Sequence, residues 1–163
     1  PLEAEGIRFT CILELAYGSG NLKITSTDPN VQPELNYNYF QDDPRDLSRL
    51  NEAVRKCVSV LEHQDYKPIV KNLLEPQPAD LESDEALNLW LKRSVTTTQH
   101  ISGTCKMGPD SDPLAVVDQH GIVKGLRGLR VADASIMPDC IRANTNCTTI
   151  MIGERIAEWI KQS

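Results

Sequence analysis

The stretch GIRFTCILELAYGSGNLKIT, Gly6–Thr25, decides the fold class. Ile7, Phe9, Cys11, Leu13 and Leu15 alternate with Arg8, Thr10, Ile12 and Glu14, so all but one of the intervening side chains are polar. A period of two puts one face of an extended chain against a core and the other in water, which predicts a half-buried strand over Gly6–Ala16. Tyr17-Gly18-Ser19-Gly20-Asn21 is turn chemistry, and Leu22-Lys23-Ile24-Thr25 alternates again, so a hairpin is expected. After the break at Asp28-Pro29-Asn30, a third strand is expected over Glu34–Phe40, with Leu35, Tyr37 and Tyr39 on one side.

Helices follow. Asp43 can cap a helix that starts on Pro44, and Leu47, Leu50, Val54, Cys57, Val58 and Leu61 form one apolar stripe at helical spacing. Ser83, Asp84 and Glu85 open a second helix carrying Ala86, Leu87, Trp90 and Leu91. Val116-Val117-Asp118 and Gly128-Leu129-Arg130-Val131 read as short strands. A last helix carries Ile150, Met151, Ile156, Ala157 and Ile160, with Asn146 at its expected cap. Strands come first, helices are interspersed and no βαβ rhythm appears, which predicts an α+β fold: an antiparallel sheet with flanking helices.

A chain of 163 residues can bury one ordinary core. A net charge of −6 argues against nucleic acid as a partner, because phosphate binding needs clustered Lys and Arg. No apolar run approaches the roughly 20 residues of a membrane span. The opening Pro-Leu-Glu-Ala-Glu lacks the regions of a signal peptide and has no initiator methionine, so a fragment or a processed chain is expected. Five cysteines, an odd number without a CxxC pair, suggest free thiols in a reducing compartment and a cytoplasmic location.

One segment fits neither a core strand nor a solvated loop: TTTQHISGTCKMG, Thr96–Gly108. His100 stands among small hydroxylated residues, five positions before Cys105. Three readings compete. A thiol nucleophile at Cys105 would need a helix N-terminus or a cation, and only Lys106 is near in sequence. A zinc site would need ligands paired a few residues apart, and Cys140 and Cys147 are too widely spaced. A lone base would need a partner, and the segment Arg130–Ile160 offers one. There a short strand ends in Asp133-Ala134-Ser135, and a helix begins near Asn146 with Cys147, Thr148 and Thr149 ahead of its apolar face. Unpaired N–H groups at such a helix end favour anions, although Asn-x-Thr-Thr can equally be plain capping. His63 and His120 read as exposed and idle.

HISGTCKMG, GLRGLRVADASIMP and NTNCTTIMIGERIAE, in this order and separation, resemble the C-terminal part of the glucose–methanol–choline (GMC) oxidoreductases. The likeness leans toward the choline dehydrogenase branch, because Asn rather than His stands at position 146. GNLKITSTDPNVQPELNYNYFQDDPRD is similar to the substrate domain of that family. The resemblance implies a flavoprotein that oxidises alcohols, with FAD as cofactor and a small-molecule alcohol as substrate. It implies His100 as the base that takes the hydroxyl proton and Asn146 as the second catalytic residue. Imidazole titrates near neutrality and can take and return a proton. A carboxamide can donate to a developing alkoxide. The resemblance also places Asp133 and Ala134 along the ribityl and pyrophosphate chain, and Asn146 and the Thr148 N–H at the flavin ring. Cys105 then becomes a packing residue.

One departure is large. No three of the nine glycines have the G-x-G-x-x-G spacing of a dinucleotide-binding turn. The expectation is therefore a substrate-binding domain over residues 1–128 and a terminal strand–loop–helix over residues 129–163 that completes an FAD domain. The N-terminal Rossmann unit would be a missing partner. Such a chain by itself should hold FAD weakly or not at all and be inactive. Oxidase and dehydrogenase share these residues, so the electron acceptor stays open, as does a lyase relative without redox turnover. A non-catalytic module that binds a small molecule or a protein is the alternative from another class.

Overall fold

Asp43 ends an extended segment and its carboxylate accepts from the Arg45 N–H at 2.8 Å, and Pro44 supplies a φ already suited to a first turn. The helix that follows, α1, runs Pro44–Leu61 in the computed structural model, which describes Gly6 and residues 8–162. The first five residues, read above for a targeting signal, and Ile7 of the first expected strand lie outside the described residues. Ser83 caps α2, Asp84–Ser94, by accepting from the Ala86 N–H at 3.1 Å. Asp84 and Glu85 sit at its positive end and Lys92 and Arg93 at its negative end, in the sense the helix dipole favours. The third helix, α3, spans Asn146–Gln162. Strands β1, Asn21–Lys23, and β2, Glu34–Asn36, pair antiparallel with Leu22 opposite Leu35. Among the described residues, three α-helices and a two-stranded antiparallel sheet are consistent with the expected α+β class, with a smaller sheet.

The chain divides into two compact units. The first comprises residues up to Leu13, Tyr17–Ser19 and Tyr37–Thr96. Its core is the seam between α1 and α2, where Leu50, Val54, Leu87 and Leu91 are buried. Each such side chain contributes about 1.5–3 kcal/mol through burial. The seam is keyed by polar contacts: Asn51 donates to Asn88 at 3.0 Å, and Arg55 reaches Asp84 at 2.7 Å. At the head of α1, buried Asp46 accepts from the N–H groups of Tyr17 and Gly18 at 2.8–3.0 Å. Arg45 stacks over the Tyr17 ring, 3.6 Å from its centre.

The strand expected over Gly6–Ala16 does not form. Cys11 and Leu13 pack on the α1–α2 core, so the alternation reports burial of one face, as read. The cover is helical, however, and no strand in the described residues supplies a ladder. Leu15, at φ 51°, then turns the chain out of the extended region. β1 consequently pairs with β2 and not with the earlier segment. β2 itself stops at Asn36, because Asn38 and Phe40 adopt φ of 50° and 62°. Tyr37 and Tyr39 still stack, with ring centres 5.2 Å apart. The Cys11 and Cys57 thiols lie 3.3 Å apart, and burial together with the Cys57 contact pushes Cys11 up to about 12.

The second unit comprises Glu14–Ala16, Gly20–Asn36 and the residues from Thr97 on. Ile152 and Ile156 of α3 are buried with Val117, Ile136 and Met137. The short strands expected at Val116–Asp118 and Gly128–Val131 appear as isolated bridges, Val117 to Met107 and Val123, and Ile122 to Arg130. Gly121 makes this packing possible. Its φ is 72°, and a Cβ there would lie 2.5 Å from the Val131 carbonyl oxygen and 2.7 Å from Ile156.

Candidate active site

Two segments of the second unit run side by side. The N–H groups of Gly103, Cys105 and Met107 donate to the carbonyls of Ala134, Ser135 and Ile136 at 3.2, 2.8 and 2.8 Å. This ladder fixes the loop that contains His100 against the short 3-10 turn Ala134–Ile136. Gly103 adopts φ 82°, where a Cβ would meet the Met137 carbonyl oxygen at 3.4 Å, so a small residue lets the two backbones approach. Asp133 caps the turn by accepting from the Ser135 N–H at 2.8 Å.

His100 is half-buried, and Gln99 before it takes the left-handed φ of 64°. Thr97 Oγ1 accepts from the Gln99 N–H at 3.0 Å and supports that turn. The His100 Nδ1 atom lies 3.2 Å from Thr145 Oγ1, a contact that spans 45 residues of chain. Thr145 is 7% exposed and immediately precedes Asn146. The loop, the turn and the head of α3 therefore meet through His100, Ala134 and Thr145.

The head of α3 departs from the expectation in one detail. Asn146 is the first helical residue, and the Thr145 carbonyl receives the first helical bond, from the Thr149 N–H at 2.9 Å. Thr145 thus holds the cap position expected for Asn146, because its buried hydroxyl ties it to His100. Thr149 also donates its hydroxyl to the Thr145 carbonyl at 2.8 Å, which turns it away from the helix end. Asn146 and Cys147 are exposed and Thr148 is half-buried. As first-turn residues their N–H groups have no carbonyl one turn earlier in the helix. Unlike α1 and α2, α3 has no acidic residue in its first turn.

The competing sequence readings can be placed. Cys105 is half-buried, and its backbone joins the ladder to Ser135. Among the described residues no group of three or more His, Cys, Asp or Glu could hold a metal. His63 lies 3.4 Å from Asp65 at the surface. His120, expected to be exposed and idle, is instead half-buried, and its ring packs edge-on against Trp159 of α3 with centres 4.7 Å apart. No helix among the described residues is long and apolar enough to cross a membrane. Thr145 was not singled out from sequence, because its role depends on a distant pairing; a hydroxyl residue just ahead of a helix cap was the available signal.

A family model described as GMC oxidoreductase matches residues 16–153. Oxygen-dependent choline dehydrogenase of Cronobacter sakazakii is 40% identical over 142 residues, which is 87% of this chain and 25% of that protein. Among solved structures, pyridoxine 4-oxidase from Mesorbium loti matches with a TM-score of 0.78 and 28% identity, covering 88% of this chain and 27% of its own. An FAD-dependent oxidoreductase from Chaetomium thermophilum matches with a TM-score of 0.79 and 28% identity, covering 88% of this chain and 24% of its own. The chain thus spans about a quarter of the length of the curated relatives it matches.

Proposed function

The chain belongs to the GMC oxidoreductase family, and from that premise we propose that it carries the proton-handling side of the active site of an FAD-dependent alcohol oxidoreductase. The observation that supports this most is the contact of His100 with Thr145 at the head of α3. It gathers an imidazole, a carboxamide-bearing helix start and a set of unpaired N–H groups into one neighbourhood.

FAD fits these residues on one structural ground. The first turn of α3 has no acidic side chain, and its leading residues are exposed. Its N–H groups suit an electron-rich ring edge or an anion. In this reading Asn146 and the Thr148 N–H hold the flavin ring, and Asp133 and Ala134 line the ribityl and pyrophosphate chain. When bound, FAD accepts the hydride from the alcohol carbon.

The remaining steps are those of the chain. His100 takes the proton of the alcohol hydroxyl and later returns it to solvent. Asn146 donates from its carboxamide to the same oxygen, orienting the alcohol and stabilising the alkoxide as it forms. The small residues Ser102 and Gly103 let the backbone of this loop pack closely against the Ala134–Met137 turn. Residues 1–128 would serve as the substrate-binding domain and residues 129–163 would complete an FAD domain. The chain by itself is proposed to hold little FAD and to be inactive. A cytoplasmic location follows in the same reading from the five free thiols. Choline, named in the relatives, is the first alcohol to assay.

The test is rapid-reaction absorbance on flavin-loaded protein of the relatives' full length. His100→Ala is expected to slow flavin reduction by an alcohol about 10²–10⁴-fold with FAD content unchanged. An unchanged rate removes His100 from the mechanism. Spectra of the present chain by itself are expected to lack flavin bands, and stoichiometric FAD there would contradict the proposed division of the site.

A further inference from the structure

We infer that Thr145 is a positioning residue for His100: its hydroxyl oxygen accepts from the Nδ1–H and so leaves Nε2 as the basic nitrogen. The inference rests on the reading of His100 as the base and adds the group that sets its tautomer. Three observations carry it. Thr145 Oγ1 and His100 Nδ1 are 3.2 Å apart, and no other hydrogen bond of His100 occurs among the described residues. Thr145 is 7% exposed, so its hydroxyl has little water to compete for. Its backbone is fixed twice, by the Thr149 N–H and the Thr149 hydroxyl at 2.9 and 2.8 Å. The backbone on either side of His100 is fixed by the Gln99 turn, with the Gln99 N–H donating to Thr97 Oγ1, and by the ladder that starts at Gly103.

The chemistry requires one direction for this bond. A neutral imidazole carries one N–H and one lone pair, and the partner of one nitrogen determines which form dominates. If Nδ1 donates to Thr145, the lone pair resides on Nε2 and can take a proton. The protonated ring still donates through Nδ1, so the contact survives proton uptake and release. A hydroxyl donating to Nδ1 would instead place the proton on Nε2 and leave no base there. A neutral hydroxyl adds no charge, so this contact acts on the orientation and tautomer of the ring.

Nitrogen NMR of the ring identifies the tautomer in this chain, and three histidines make assignment tractable. The neutral His100 ring is expected to carry its proton on Nδ1, and a neutral ring protonated on Nε2 overturns the inference without any variant. Thr145→Val keeps the shape and removes the hydroxyl. It is expected to shift the tautomer and, in flavin-loaded full-length protein, to slow flavin reduction about two- to tenfold, the worth of one neutral hydrogen bond. FAD content should stay constant, and Thr145→Ser should restore both readouts. A slow His100→Ala with an unaltered Thr145→Val overturns the positioning role and leaves the base. A His100→Ala that reduces flavin normally overturns the base, while the ring spectrum still decides which atom donates.

Discussion

The heads of α1 and α3 solve the same physical problem in opposite ways. Each begins with N–H groups that lack a carbonyl one turn back. At α1 the chain answers with its own side chains. Asp43 caps, Pro44 removes one donor, and Asp46 sits in the first turn while binding Tyr17, Gly18 and Arg49. At α3 there is no first-turn acid, and Asn146 and Cys147 are exposed. The one residue firmly committed there, Thr145, turns its hydroxyl to His100. A helix start completed by protein contributes stability, whereas one left open keeps its donors for something else.

That contrast can be broken by substitution. The largest stability effect is expected at Asp46. Asp46→Ala removes the acceptor of two backbone N–H groups and should destabilise the chain by about 1.5–3 kcal/mol, read as a lower denaturation midpoint with an unchanged slope. A loss below 0.5 kcal/mol would mean that water replaces the carboxylate at no cost. A smaller effect of opposite sign is expected at α3. Cys147→Asp supplies the missing first-turn acid and should stabilise this chain by about 0.3–1 kcal/mol. In full-length protein the same carboxylate should lower FAD content, and normal flavin content there would show that α3 keeps its donors for no cofactor.

The smallest effect is expected from acid. The Arg45 side chain, followed by its backbone N–H, holds the Asp43 carboxyl down to about 2 from an ordinary 3.8. A group with a lowered folded-state value contributes stability that is present above the ordinary value and is lost as pH falls through the folded one. The contribution of this cap should therefore disappear between about pH 4 and pH 2. Asp43→Asn, whose amide still caps but does not titrate, should flatten that loss in far-ultraviolet circular dichroism, and an unaltered acid profile would detach it from Asp43.

The same contrast explains what could be read from the sequence. α1 and α2 were legible because their signals are local: a capping side chain, a proline or acids at the start, and apolar residues at helical spacing. The segment over Gly6–Ala16 forms no strand although it alternates, because alternation reveals that one face is covered without revealing by what. Cys11 and Leu13 found helices, and Leu15 adopted a backbone conformation that leucine rarely takes. At the site, His100, Asp133, Ala134 and Asn146 stood out by residue type and motif. Thr145 did not, since a threonine beside a helix start is ordinary until a histidine 45 positions earlier is brought against it.

Gly121 carries a consequence at a distance. It lies under Ile156, and even one added carbon there would collide with that side chain and with the Val131 carbonyl oxygen. Ile156 is ten residues along α3 from Asn146, about 15 Å at the rise of an α-helix. The absence of a single methyl group at position 121 therefore lets the Val131 backbone and the buried Ile156 side chain of α3 close on the same point, and a bulkier residue there would force the Val131 segment to give way.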